Sequence, residues 1–272
     1  MKNLLVLSVI LLIVTACNDH GSVAKITETN DTVQQLLASY RDSIRKYPND
    51  TLLKYEFVQT LQDAGRYNEA ISFLDSMNIT RGDSTNLKAY FNYLYKRAEL
   101  LTQTGDTAKA IRTLELFVIP GEVTEAGKQL ANLYAETRNP KTIAICDAMI
   151  KNDASGRDPE PNYFKGAYYY NTGDYNKALE EFNACIRKDY TFPDAYMEKG
   201  RILYKQSKYK EAIEVYDLAI RVSNTFADAY LWKGKCQEAL GQKEEAKTSY
   251  QRAYAFDKTL TEAKDAADRI NN

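Results

Sequence analysis

Few residues of this 272-residue chain have side chains and spacings suited to chemistry. His20 is the one histidine, and the four cysteines show no CxxC or Cys/His spacing, so a zinc-type site is not expected. Adjacent acids such as Glu180 and Glu181 point in different directions on a helix, which argues against a glycosidase-like pair. Phosphate-binding glycine loops and GxSxG motifs are also missing. We therefore expect no catalytic residue, no metal and no cofactor, and a protein that is not an enzyme.

Three of the cysteines, Cys146, Cys185 and Cys236, lie in the body of the chain. An odd number in an oxidising compartment leaves at least one thiol unpaired. We expect all three to be core residues, and their redox state stays open.

The fourth cysteine, Cys17, ends a short apolar segment. Lys2 precedes an apolar run over residues 4–14, and Val14, Thr15 and Ala16 lead into Cys17 and a polar stretch. This order is typical of a secretory signal, and the run is shorter than the roughly 20 apolar residues of a membrane-spanning helix. An exported protein is the expectation.

The residues before Cys17 resemble the lipobox of bacterial lipoproteins. The resemblance implies a signal peptide over residues 1–16, lipid attachment at Cys17 with palmitate-type acyl chains, and a flexible tether over residues 17–30. Asn18, directly after the cysteine, is typical of lipoproteins sent to the outer membrane, facing the periplasm or the surface. The alternative is an ordinary cleaved signal peptide with a coincidental cysteine.

The overall composition is that of a folded protein without a strong electrostatic preference. Hydrophobic residues make up 44% of the chain, and 36 basic residues stand against 37 acidic ones. The chain has no long run of residues of one charge. Neither nucleic acid nor an anionic membrane surface is therefore indicated as a partner. A protein or peptide partner is favoured instead.

An internal repeat dominates the second half of the chain. The segments GDYNKA, SKYKEA and GQKEEA begin at Gly173, Ser207 and Gly241, which are evenly spaced along the chain. Glycines recur with the same period in the helix expected before each of these segments. Alanines and aromatic residues recur with that period in the helix expected after it. These recurring residues are Gly166, Gly200 and Gly234, then Ala178, Ala212 and Ala246, then Phe182, Tyr216 and Tyr250.

The length of this period and the small residues resemble the tetratricopeptide repeat, whose unit is about 34 residues long. The resemblance implies an all-α fold, a right-handed superhelical solenoid of about six repeats with flanking helices. We expect a half-repeat helix over residues 31–50, six repeats over 51–260 with an insertion at 81–86, and a capping helix over 261–272. The expected repeats begin at Thr51, Phe91, Glu125, Pro159, Pro193 and Ala227.

Some positions are less regular. In the third repeat Asn139 could cap the second helix, Pro140 lies in its first turn and Ala144 takes the small position. In the half repeat, Leu36 takes the small position and Tyr40 the aromatic one. Cys185 falls at a packing position of its helix.

The resemblance also implies a concave groove lined by the first helix of each repeat. A groove with tyrosines and a basic C-terminal end suits an extended or helical peptide with acidic character. Alternatively, several of these tyrosines pack between helices. The carboxylate clamp of chaperone-binding relatives is not supported, because Tyr163, Ala167 and Met197 stand where matching polar residues would be expected. The implied groove residues are Tyr55, Tyr95, Gln129, Asn132, Tyr163, Tyr170, Arg201, Tyr204, Lys205 and Lys235.

Asp-Ser/Thr pairs between Asp31 and Thr107 resemble the O-glycan acceptors of exported Bacteroidota proteins. Helix capping favours the same residue pairs and is the competing explanation. The candidate acceptors are Thr32, Thr51, Ser76, Ser84 and Thr107.

The sequence thus predicts a membrane-anchored, non-catalytic scaffold or adaptor of the cell envelope that binds a protein or peptide. An alternative is an accessory or regulatory subunit that docks an envelope enzyme or a transport or polysaccharide system. Direct binding of a glycan or small ligand is a third hypothesis.

Overall fold

A computed structural model describes residues 30–77 and 87–270 of the chain. Cys17, the signal peptide, the tether before residue 30, Ser84 and the insertion at 81–86 lie outside the described residues. Within these two ranges every regular element is an α-helix, so the all-α prediction is confirmed. The helices are α1 (Asn30–Lys46), α2 (Thr51–Asp63), α3 (Tyr67–Ser76), α4 (Leu87–Gln103), α5 (Thr107–Glu115), α6 (Glu125–Glu136), α7 (Lys141–Asn152), α8 (Glu160–Thr172), α9 (Tyr175–Lys188), α10 (Pro193–Lys205), α11 (Tyr209–Val222), α12 (Ala227–Ala239), α13 (Lys243–Phe256) and α14 (Thr261–Ile270).

The chain divides into two compact units, Met1–Ala64 and Gly65–Asn272. In the first unit, α1 packs on α2, and the rings of Tyr40 and Phe57 lie 6.2 Å apart. Leu36 does not take the predicted small position, because it is 41% exposed while Leu37 is fully buried. The inward face of α1 is therefore one position further along the chain than the repeat period suggests.

In the second unit, each helix packs against the next one along the chain. The turn after α8 is representative: Gly173 has φ 87°, and the N–H of Asp174 donates to the carbonyl of Tyr169 at 2.9 Å. Such left-handed ends satisfy the last carbonyls of a helix and reverse the chain. Asp174 then caps α9 by accepting the N–H of Lys177. Helix direction is thus set locally by a Gly-Asp pair.

Three helix pairs, α8 with α9, α10 with α11 and α12 with α13, repeat the same close contact. In each, the two helices approach closely because the first carries a glycine. A methyl group on Gly166 or Gly234 would lie 2.6 Å or 2.7 Å from the ring of Phe182 or Tyr250. One on Gly200 would overlap the ring of Tyr216. The predicted roles of these small and aromatic positions are confirmed.

The third helix pair departs from the prediction. Ala144 is exposed, and the buried residues of α7 are Thr142, Ile145, Cys146 and Met149. The left-handed residue of the turn, Arg138, lies one position further from Gly173 than the repeat period requires. The buried face of α7 is shifted by one position more, so that Thr142 and not Ala144 corresponds to Ala178. Asn139 does accept the N–H of Lys141 at 3.0 Å, as expected of a cap.

Cys146, Cys185 and Cys236 are free and fully buried, which confirms the prediction that they are core residues. Burial raises the pKa of each thiol to about 12, so the thiolate is strongly disfavoured.

Helix pairs are joined to one another by a recurring polar contact. A cation on the first helix of a pair reaches a side-chain oxygen on the second helix of the pair before it. The four contacts are Arg97 to Asp75 at 2.6 Å, Lys165 to Asp147 at 2.8 Å, Lys199 to Asn183 at 2.8 Å and Lys233 to Asp217 at 2.6 Å. We call these four contacts the inter-repeat ladder.

One rung of the ladder is uncharged on its acceptor side. Lys199 meets the amide oxygen of Asn183, and burial lowers the pKa of this lysine. A carboxylate at position 183 would compensate the partly buried charge, as Asp217 does for Lys233.

We expect Asn183→Asp to raise the free energy of unfolding by about 0.5 to 1 kcal/mol, since it adds the missing charge. Asp217→Asn, the matched change at the next rung, should lower it by a similar amount. Thermal denaturation followed by circular dichroism would measure both. A lower melting temperature for Asn183→Asp would contradict the assigned role of the ladder.

Candidate functional site

Seven aromatic and cationic side chains form a continuous surface in the C-terminal half of the second unit. We call this set the basic-aromatic strip. Helix α10 contacts both α8 and α12, and these three helices supply all of it except one tyrosine from the start of α9. The strip consists of Tyr170, Tyr175, Arg201, Tyr204, Lys205, Trp232 and Lys235.

One end of the strip is centred on Lys205. Its Nζ lies 4.5 Å from the ring centroid of Tyr170 and 5.6 Å from that of Tyr175. A cation over aromatic rings is held in place without losing its charge. Among the described residues no carboxylate lies within ion-pair distance of this exposed ammonium.

The other end is centred on Trp232, which Arg201 and Lys235 approach at 5.2 Å and 4.5 Å from the ring centroid. Tyr204 meets the same indole edge-on at 5.5 Å and also contacts Tyr209. These contacts join residues of two helix pairs, and the contacts of Lys205 with Tyr170 and Tyr175 add a third pair.

Two of the cations are already partly neutralised. Arg201 binds Glu198 at 2.9 Å, and Lys235 binds Glu262 of α14 at 2.8 Å. Burial raises the pKa of Glu198, and the nearby charges of Arg201 and Lys205 oppose that rise. The strip therefore keeps an excess of positive charge at Lys205.

An open polar cavity of about 720 Å³ continues the strip at its C-terminal end. Glu238, Glu262 and Asp265 line it together with Lys235 and Arg269. The prediction of a basic C-terminal end is therefore wrong, because α14 brings acidic side chains that the repeat period did not include.

Two predicted groove tyrosines are packing residues. Tyr163 lies 5.8 Å from the ring of Phe182 and 5.2 Å from that of Phe192, and burial raises its pKa. Tyr95 packs against the core around α4 to α8, and burial raises its pKa as well. For these two residues the interhelical packing alternative holds.

The remaining predicted groove residues are Gln129 and Asn132 of the second unit and Tyr55 of the first. Gln129 donates to the hydroxyl of Thr102 at 3.4 Å, and Asn132 donates to Glu136 at 2.8 Å. Tyr55 belongs to the first unit and is 50% exposed.

Sequence reasoning missed Trp232 and Tyr175. The prediction took one set of positions from each first helix, whereas Trp232 faces Tyr204 of the preceding pair and Tyr175 comes from a second helix. The chain's single tryptophan was the available signal, since tryptophan is enriched where proteins bind.

Of the five O-glycan candidates, the four that lie in described residues fall on exposed or half-buried positions, and two of them follow capping residues. Asp50 accepts the N–H of Leu53 at 3.0 Å, and Asp106 accepts that of Lys109 at 3.2 Å. Capping therefore accounts for the Asp residues before Thr51 and Thr107. Thr32 and Ser76 are exposed.

Among residues 30–77 and 87–270, no group of three or more candidate ligands could hold a metal ion. None of the helices in these ranges has the length and apolar character to cross a membrane.

Comparisons with known proteins support the repeat assignment. Family models described as TPR repeat, as tetratricopeptide repeat and as anaphase-promoting complex (cyclosome) subunit 3 match residues 200–241, 228–256 and 137–219. No curated protein matches the chain.

Among solved structures, a tetratricopeptide repeat protein from Parabacteroides merdae ATCC 43184 is 19% identical, with 89% of this chain and 93% of that chain covered and a TM-score of 0.66. MamA is 22% identical over 61% of this chain and 96% of its own, with a TM-score of 0.49. The first TPR of Spaghetti (RPAP3), bound to an HSP90 peptide, is 23% identical over 42% and 90%, with a TM-score of 0.40. The first likeness confirms the predicted fold, a superhelical tetratricopeptide solenoid.

The distinction between Tyr163 as a packing residue and Lys205 as a surface residue of the strip is testable. Tyr163→Ala should lower the free energy of unfolding by about 3 kcal/mol, because it empties space among three phenylalanines. Lys205→Ala should lower it by no more than about 1 kcal/mol, the size of an exposed cation–π contact. Equal losses in urea denaturation would show that Tyr163 is not a core residue.

Proposed function

We propose that this chain is a membrane-anchored, non-catalytic scaffold that binds a segment of another polypeptide in the cell envelope. The observation that carries the proposal is the basic-aromatic strip, because it joins residues of three successive helix pairs into one surface. Solenoid proteins use such extended surfaces to bind partners.

The chemistry of the strip suits a peptide. Tyrosine and tryptophan provide large, rigid contact areas with a polar tip, and they lose little side-chain entropy on binding. The strip's cations lie over aromatic rings, so they are in position before a ligand arrives. An elongated segment with some acidic side chains complements this surface.

The sequence supports the anchor. A lysine, an apolar run and the Thr15-Ala16-Cys17 ending occur in the order of a lipoprotein signal. Acyl chains on Cys17 would hold the protein at the membrane, and Asn18 favours the outer membrane. Residues 18–29 would then give the solenoid reach from the bilayer.

A photo-crosslinking amino acid in place of Lys205 should capture a partner in the native envelope, because this side chain is exposed on the strip. The matched control is the same amino acid in place of Glu214, an exposed residue of α11 outside the strip. We expect an adduct of one defined mass from position 205 that is at least fivefold weaker from position 214. Equal adducts from both positions would refute binding at the strip.

Lipid anchoring has its own test. Cys17→Ser should move the protein from the membrane fraction to the soluble fraction, because it removes the acylated sulfur. Fractionation followed by immunoblotting would measure this, with Cys236→Ser as a control that keeps the membrane location. A Cys17→Ser protein that stays with the membrane would rule out the lipoprotein assignment.

A further inference from the structure

Two hydrogen-bond donors beneath the strip have no acceptor among the described residues. Tyr216 is fully buried, and its hydroxyl is unpartnered. The Nε–H of Arg201 is also buried and unpartnered, while the Nη1 of the same guanidinium binds Glu198. Buried donors without acceptors are rare and call for an explanation.

Both donors belong to the pair formed by α10 and α11. The Tyr216 ring packs on Gly200, with its hydroxyl 3.0 Å from where a Cβ of that glycine would be, and Arg201 is the next residue. Burial raises the pKa of Tyr216, and the charges of Arg201 and Glu198 also act on its hydroxyl. The charges of Arg201 and Lys205 both oppose the rise that burial causes in the pKa of Glu198, so both cations act on the same carboxyl group.

The last helix pair shows what such a donor set binds. Tyr250, the counterpart of Tyr216 one repeat later, donates to one carboxylate oxygen of Glu238 at 2.8 Å. Arg269 donates to the other oxygen at 2.5 Å. Here a tyrosine hydroxyl and an arginine converge on one carboxylate.

The equivalent carboxylate is missing one pair earlier. The counterpart of Glu238 one repeat earlier is Tyr204, which turns its ring to Trp232 and Tyr209. The pair formed by α10 and α11 therefore has the tyrosine donor of the last pair without its acceptor. Arg201 is not the counterpart of Arg269 one repeat earlier, but its Nε–H is a second donor without a partner.

We infer that a carboxylate of the bound polypeptide takes this place, accepting from the Tyr216 hydroxyl and the Arg201 Nε–H beside the Lys205 ammonium. A carboxylate is acceptor-only and fits three donors. The Arg201 side chain is 36% exposed, so its guanidinium can turn toward a ligand. This inference rests on the proposed function and adds the chemical identity of one ligand side chain.

Trp232 provides the measurement, because it is the only tryptophan of the chain and stacks on Arg201. The full-length protein is titrated with two acetylated, amidated alanine-serine nonapeptides that differ only in a central Glu or Gln. Tryptophan emission should report binding of the Glu peptide about tenfold tighter than the Gln peptide, the ratio expected from charge-assisted hydrogen bonds.

Two variants separate ligand binding from folding. Tyr216→Phe removes a donor with no partner, so it should leave the melting temperature unchanged or raised and reduce the Glu preference to about threefold or less. Tyr250→Phe is the matched control, because it breaks the bond to Glu238, lowers the melting temperature and keeps the Glu preference. Tyr204→Glu should supply the missing acceptor from within the chain and abolish the preference.

The outcomes distinguish this inference from the proposed function. If both peptides bind equally, or if neither binds while crosslinking from position 205 succeeds, the carboxylate subsite is refuted and the scaffold proposal stands. A Tyr216→Phe protein that keeps the full Glu preference also refutes the subsite. Tenfold preference that is lost in Tyr216→Phe and kept in Tyr250→Phe supports it.

Discussion

Glycine set against an aromatic ring is the contact on which the C-terminal helix pairs depend. With no side chain at Gly166, Gly200 or Gly234, the first helix of each pair lies directly on a ring of the second. In the second repeat, α4 and α5 pack together with an alanine in place of the glycine and a leucine in place of the ring. Ala98 and Leu114 take these equivalent positions, and both are fully buried. Close packing makes these choices interdependent, because a larger residue on one helix requires a smaller one on its neighbour.

The glycine contact also decides where the Tyr216 hydroxyl lies. Because the Tyr216 ring extends across Gly200, its buried hydroxyl lies close to the backbone of α10, where the charge of Arg201 acts on it. Cations of the same surface lie over the rings of Tyr170 and Trp232, which orients them at little loss of charge. In the proposed site, Tyr216 therefore serves both the packing of its helix pair and the binding of the ligand.

Periodicity predicted the small and aromatic positions of the last three repeats, because each of these contacts lies within one repeat. It failed at Ala144, where the turn at Arg138 and the buried face of the following helix both depart from the repeat period. It also failed for Trp232 and for the acidic cavity beside α14. Those features arise from contacts between repeats, and a period describes what repeats share and not how two different neighbours meet.

The uncharged rung of the inter-repeat ladder lies between α9 and α10, within the region that carries the strip. In a stack held by nearest-neighbour contacts, stiffness along the axis varies from junction to junction. The contact between Asn183 and Lys199 is not an ion pair, unlike the other three contacts of the ladder. We therefore expect the stack to bend more easily at this junction. Bending there would change the separation of Tyr170 from Tyr204, so the curvature of the solenoid and the spacing of its contact residues are mechanically linked.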